Sequence, residues 1–424
     1  MKKIVTNSIY ATLVVVVFLG VALAIPTDVQ ADEDVSGLRH IVNVLLERVS
    51  ALEEVLLPVD LTVLEQRIST LEAASQPISL TVNCPEDSLE EALAQVADRA
   101  GHVTITVTGF CEEEITVWRD KTKIQGAAPG DGLQSLILRA HRIELDQLTL
   151  IGGAQGIKAT DGASFVASDL HISGANYGVS IEKNAIGNLH NVTVENSYIG
   201  VRATAGGVLR MSGGTIDTIT DHGVEASFGG YVELQGVTVS NCEFGAIAAR
   251  EGGSIDISNS IIEYNAAGGG AISGGHLTIH NDTIIRNNYG NGVGANVGGT
   301  VWLNSGVTIT DNSGSGICGR AGGSINIGEV VIEYNLGGGI DLGGGAEVTL
   351  AGGTIIRNNT GNGIALGATS TATFFDDTVQ ITGNTGTAVI CNTSGLDDVA
   401  LIVGQPGIIS GNGSDALQCP RGFP

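Results

Sequence analysis

Two carboxylates, Glu195 and Asp217, stand at equivalent places in neighbouring segments, each one residue after an apolar strand position, Val194 and Ile216. Stacked without a cation between them, like charges raise a pKa or draw in a metal ion. Either outcome serves acid/base or calcium-assisted chemistry. Paired carboxylates are also the means of glycoside hydrolysis. Arg202, Arg210, Glu225 and Glu233 fall on other strands nearby, and Arg202 and Glu225 complete the candidate catalytic set. Glu195 and Asp217 are the candidate ligands of a calcium ion. The same acids equally form a solvated face on a chain of formal charge −25. Asp221-His222 is a second acid/base candidate at a corner, where a turn role is the plainer one. Trp302, between inward Val301 and Leu303, points outward as a platform for a sugar ring or as a ring packed under a loop.

The elements that position these residues follow from a recurrence. Asn265, Asn288, Asn312, Asn335, Asn359, Asn384 and Asn412 are separated by 23, 24, 23, 24, 25 and 28 residues. Each lies three residues after an isoleucine, from Ile262 to Ile409, and most precede a glycine-aliphatic pair. A period of this length is a repeat architecture. The glycine markers run through Gly156, Gly178, Gly200, Gly223, Gly245, Gly270, Gly292, Gly316, Gly339 and Gly363. Most repeats split into three short strand-like runs, as at 246–248, 254–257 and 260–263. Each strand then hydrogen-bonds to its counterpart one coil away, at ~4.8 Å.

The asparagine column needs no substrate to explain it. Asparagine tolerates the left-handed turn, and its amide both donates and accepts, so stacked copies bond to one another and to corner backbone. Cys242 and Ser197 extend the column upstream, which makes Cys242 an inert interior thiol. Cys391 and Cys419 each stand seven residues after an asparagine, Asn384 and Asn412, so they lie one above the other at bonding distance. Cys318 is left without a partner. The outward column carries Glu263, Arg286 and Thr310, then Glu333, Arg357 and Thr382, a duplicated three-coil unit with Glu263 facing Arg286 and Glu333 facing Arg357.

Composition agrees with short stacked strands: 62 glycines and 4% aromatic residues. The net charge excludes nucleic acid as a partner and disfavours polyanionic sugars unless cations intervene. Lys2 and Lys3 before the apolar run 9–24 read as an export signal, either cleaved after Ala24 or Ala31 or retained as an anchor. Heptad spacing from Leu38 to Leu56, broken at Pro58 and resumed over 61–71, predicts an oligomerising stalk or, as the plainer reading, a helical hairpin or loosely ordered spacer. From Ile78 a strand, a helix over 88–99 capped by Ser88, and a strand through Val103, Ile105 and Val107 follow. Cys84 and Cys111 bracket this unit. A disulfide between them would close a loop of about 28 residues, worth about 3 kcal/mol in the chain-entropy model.

The Asn-x-x-x-Gly-aliphatic recurrence, with the Cys84–Cys111 unit and its short helix, resembles the right-handed parallel β-helix proteins of the pectate-lyase-like superfamily over residues 78–419. That resemblance implies an all-β, right-handed parallel β-helix solenoid of about 11–12 coils with a short N-terminal capping helix. It does not choose among lyases, hydrolases, epimerases and non-enzymatic surface proteins. The polygalacturonase set Asn-Thr-Asp, Asp-Asp and Gly-His-Gly is missing, Asp376-Asp377 standing without companions. So are the basic cluster of pectate lyases, calcium-binding nonapeptides, zinc spacing, P-loop and serine elbow. The expected division is an export signal over 1–31, a separate coiled-coil-like helical segment over 32–77, a cap over 78–135 and the solenoid over 136–424. The expected role is that of an exported protein, periplasmic, extracellular or surface-associated, that is structural, adhesive or carbohydrate-binding. Its partners would be a polysaccharide or cell-surface glycan and, through residues 38–73, further copies of itself. No cofactor is required, calcium being the one ion the acids suggest. The alternative is a polysaccharide lyase or glycoside hydrolase working from the acids upstream.

Overall fold

The computed structural model describes residues 43, 44, 47, 65–69, 76–392 and 400–419. The chain divides into Met1–Leu71 and Glu72–Pro424. In the first unit residues 43, 44 and 47 and residues 65–69 are helical, while the export signal, Pro58 and most of the heptad positions lie outside the described residues.

The second unit opens with strand Ile78–Asn83, helix Leu89–Gln95 and strand Val103–Thr108. The Ser88 hydroxyl accepts from the Glu91 amide at 3.4 Å, and Glu90 and Glu91 occupy the first turn, where the helix dipole favours acids. The helix stops at Gln95, short of the expected Arg99. Arg119 reaches across to collect the carbonyls that follow: Nε donates to Val96 O at 3.0 Å and Nη2 to Arg99 O at 2.8 Å and to Gly101 O. Those carbonyls are thereby satisfied without further helical turns. Leu89 and Ala92 bury the inner face, and the Cys84–Cys111 disulfide ties this unit to the next coil.

Beyond it the chain winds as a parallel solenoid. One coil shows the plan: a first face at Gly245–Arg250, a second at Ser254–Ser258 and a third at Ile261–Glu263. Each pairs in parallel with its counterpart in the next coil, Gly269–Ile272, His276–His280 and Ile284–Arg286. The solenoid has about 14 turns. That exceeds the eleven or twelve coils expected because residues 78–135 already coil: Ile78–Asn83, Val103–Thr108 and Thr122–Gly126 pair in register with one another. They lack the asparagine and glycine markers, so the period is silent there.

Side chains alternate across each strand, and the inward set is aliphatic. Ile262, Ile285, Ile309, Ile332, Ile356 and Ile381 form one fully buried stack. The glycine column exists because this stack crowds it. A Cβ on Gly339 would come within 2.4 Å of both Gly363 O and Ile356 Cγ2. The structure moves two markers. Gly245 pairs with His222, and Gly270 with Gly294 and Ala248, so Ala246 and Gly268 hold the column positions in those coils. The run Gly268–Gly270 offers three glycines to one position, and only the pairing decides among them.

The asparagines form a continuous hydrogen-bonded ladder, five of them wholly buried. Asn288 Nδ2 and its backbone amide both donate to Asn312 Oδ1, at 2.9 and 3.1 Å, and Nδ2 also donates to Ile262 O in the preceding coil. The pattern repeats from Asn265 to Asn412. Cys242 begins the ladder, its amide donating to Asn265 Oδ1. Asp415 ends it, accepting from the Asn412 amide and Nδ2. The left-handed conformation belongs to the residue before each ladder position from Cys242 to Asn359: Asn241, Tyr264, Asn287, Asp311, Tyr334 and Asn358 have φ between 53 and 58°. The ladder asparagine therefore owes its place to its amide, and the turn is made one residue earlier. Cys391 and Cys419 are bonded, stapling the last coils.

Candidate functional site

The structure places the four upstream candidates on two faces. Glu195 and Asp217 are neighbours in register on the third face, while Arg202 and Glu225 are neighbours on the first. Glu195 and Asp217 turn to different partners. Glu195 Oε1 lies 3.1 Å from His171 Nε2 one coil before it. Asp217 accepts from Ser240 Oγ at 2.5 Å, Thr218 Oγ1 at 2.7 Å and Asn241 Nδ2 at 2.7 Å. Burial works to raise the Asp217 pKa, but these bonds outweigh it and hold the carboxyl below the usual range.

On the first face the charges are arranged in pairs. Glu182 accepts from Arg202 Nη2 at 3.2 Å and lies 3.2 Å from Lys158 Nζ. Burial pushes the Glu182 carboxyl up, and Lys158, Ser180 and Arg202 together bring it below its ordinary value. The Arg202 guanidinium also stacks 4.3 Å over the Tyr177 ring. Glu225, only 3% exposed, accepts from Arg250 Nη2 at 2.5 Å and from Ser227 at 3.1 Å. Arg202 and Glu225 thus serve two separate ion pairs. On the second face Arg210 bonds Glu233 at 3.2 Å.

Downstream the first face changes character. Ala248, Gly270 and Gly294 continue the column that began with Arg202 and Glu225. They leave a floor with no side chain larger than a methyl, and a groove of about 160 Å³ opens there, lined by His222, Phe244, Asn291, Asn296 and Cys318. His222 is buried at its upstream end, its ring edge-to-face with Phe244 at 5.0 Å. Asp221 Oδ1 stands 2.9 Å from His222 Nδ1, an ion-pair distance without hydrogen-bond alignment. Burial pulls the imidazole pKa below its ordinary value against the pull of Asp221, so the ring is neutral at neutral pH. Of the unpaired cysteines, Cys242 is buried and pushed up to about 12 by burial, as suits an inert thiol. Cys318 is half-buried at the groove, its pKa raised by burial as well.

Aromatic side chains mark the solvent-facing surface, and Phe244 among them lines this groove. The described residues include fourteen, and nine of them are exposed: Trp118, Tyr198, Phe228, Phe244, Tyr264, Tyr289, Trp302, Tyr334 and Phe375. Trp302 points outward from the second face, beside the His276 ring at 6.3 Å. Tyr198, Phe244, Tyr264, Tyr289 and Tyr334 all fall within two residues of the ladder column, at the corner joining the third face to the first. From Tyr198 to Tyr334 is six coil steps, roughly 29 Å at the spacing of paired strands. Sequence reasoning missed this strip because its members alternate between the positions before and after the ladder. Measuring each aromatic from the nearest ladder position would have found it. Among the described residues no group of three or more His, Cys, Asp or Glu side chains is disposed to hold a metal ion.

Residues 155–305 match the family model described as "Right handed beta helix region". No curated protein matches the chain. Among solved structures it is similar to the A-module of mannuronan C-5 epimerase AlgE4 from Azotobacter vinelandii, at 15% identity, covering 79% of this chain and 92% of that one with a TM-score of 0.37. It is similar to the catalytic domain of a GH87 alpha-1,3-glucanase in complex with nigerose, at 14% identity, 78% and 68% coverage and a TM-score of 0.40. It is also similar to the N-terminal fragment of bacteriophage Phi29 gene product 12, at 13% identity, 76% and 83% coverage and a TM-score of 0.38. The family model spans 155–305, and the parallel coil-to-coil pairing continues on both sides of it, so the chain has a parallel β-helix fold.

Proposed function

We propose that this β-helix is an exported glycan-binding protein that holds an uncharged polysaccharide along the ladder corner and the adjoining groove without cleaving it. The observation that carries this reading is the placement of the aromatic residues. Of the described aromatics only Phe165 and Phe374 are buried in the core, and five line one corner where their rings meet solvent. Rings of this kind offer an apolar face to a sugar and a polar edge to its hydroxyls. Excess negative charge disfavours an acidic polymer. The acids considered for catalysis are engaged on two faces, the buried Glu225 by Arg250 and Asp217 by three donors. Two disulfides fit an oxidising compartment, in line with the leader-like first 31 residues. Residues 38–73 are proposed to gather copies of the chain, which would multiply weak glycan contacts.

The test is a panel of polysaccharides assayed with and without calcium, by affinity electrophoresis for binding and by product analysis for turnover. Retention of the protein by neutral polymers, with no products and no calcium dependence, is the expected result. Turnover that disappears in Glu195→Ala or Asp217→Ala would replace this reading with the enzymatic one.

A further inference from the structure

Two stretches of the chain repeat one another three coils apart. Ile262-Glu263-Tyr264-Asn265 recurs as Ile332-Glu333-Tyr334-Asn335, and Ile284-Ile285-Arg286-Asn287-Asn288 recurs as Ile355-Ile356-Arg357-Asn358-Asn359. The structure folds both copies alike. Arg286 Nε donates to Glu263 Oε2 at 2.8 Å, and Arg357 Nε to Glu333 Oε2 at 2.6 Å. Tyr264 and Tyr334 are 46% and 49% exposed, with φ of 58 and 56°. In the second copy Asn358 Nδ2 also donates to the Tyr334 hydroxyl at 3.2 Å. Each copy is a ring with a carboxylate–guanidinium pair on the flanking strand and an asparagine one coil on.

These rings are not required by the turn they occupy. The equivalent left-handed position is filled by Asn241, Asn287 and Asn358, with φ of 53 to 54°. Asparagine enters this conformation readily, whereas a tyrosine there works against its own backbone preference. A strained aromatic kept at the same place in both copies points to a use for the ring. The neighbouring ion pair carries no net charge, yet offers guanidinium N–H donors and carboxylate acceptors to hydroxyl groups.

We infer that Tyr264 with Glu263–Arg286, and Tyr334 with Glu333–Arg357, are two equivalent stations for one uncharged glycan chain lying along the solenoid axis. This rests on the glycan-binding reading and adds the register. A coil spacing of ~4.8 Å is close to the length of one sugar residue in an extended chain. The stations, three coils apart and roughly 14 Å at that spacing, take up sugars three residues apart. Occupying both makes the second contact intramolecular, so a chain that spans them binds far more tightly than either station alone.

The experiment uses the full chain and the substitutions Tyr264→Asn, Tyr334→Asn and both together, in affinity gels containing xylan, hydroxyethyl cellulose, β-1,3-glucan or mannan. Asparagine is already accepted in this column, so urea midpoints should stay unchanged or rise. For the polymer that retains the wild type, each single substitution should weaken retention similarly, by about tenfold or more. The double substitution should then lie close to the singles or below them. Retention unaffected by either tyrosine, or dependent on one alone, overturns the two-station arrangement while leaving glycan binding intact. Loss in Phe244→Ala or Tyr289→Ala would then locate the binding elsewhere on the corner. Failure of the wild type to be retained by any of the four polymers overturns both.

Discussion

At the residue scale the ladder asparagines and His222 set stability in different ways. Asn312 sits mid-ladder, wholly buried, accepting two bonds from Asn288 and donating to Ile285 O, Thr310 O and Asn335 Oδ1. Asn312→Ala strands several buried groups at once, each costing about 1–3 kcal/mol when left unpaired. A total of roughly 3–5 kcal/mol in urea unfolding is the expected result. Asn412→Ala, at the half-buried end where water can substitute, should cost about 1 kcal/mol or less. Equal losses at the two sites would mean that ladder continuity is not what matters. For His222 the folded pKa is depressed by burial, so the unfolded chain takes up a proton first. Its contribution is fully present above the unfolded value of about 6.5 and is lost as pH falls from there toward the lower folded value. The drop in urea midpoint between pH 7.5 and 5.5 should be smaller in His222→Gln than in the wild type. An identical drop in both would remove His222 as its source.

At the scale of elements much of the solenoid could be read from the chain, because buried positions repeat with the coil. The spacing of Asn384 and Asn412 carried the register far enough to set Cys391 over Cys419, and the Glu263–Arg286 and Glu333–Arg357 pairs followed from it. What escaped has physical causes. Hydrogen-bonding partners do not distinguish the residue that turns from the residue that bonds, so the left-handed site was read one position late. Three consecutive glycines at 268–270 satisfy a glycine column in any of three registers. The coils of 78–135 carry aliphatic pairing without markers, and the aromatic corner occupies no single column. The last coil follows a segment, 393–399, outside the described residues, and is closed by the Cys391–Cys419 bond. Replacing both cysteines by serine should cost about 3 kcal/mol for a loop of this length. Protection of 401–418 against amide exchange should fall first. Uniform loss along the whole solenoid would show that the bond supports more than this coil.

At the scale of the molecule, the solenoid supplies an axis along which equivalent contacts can be repeated, and the N-terminal heptads are proposed to supply copies. Light scattering should find the full chain oligomeric and a chain beginning at residue 78 monomeric; the same mass per particle relative to chain length in both would dismiss the stalk. The central claim is that the corner holds an uncharged glycan and leaves it whole. Its most direct test is one incubation of the protein with each neutral polysaccharide of the panel, read for both retention and chain length. Retention without shortening of the polymer, unchanged by Glu195→Ala or Asp217→Ala, is the predicted result. Shortening of any polymer that ceases with either substitution would contradict it.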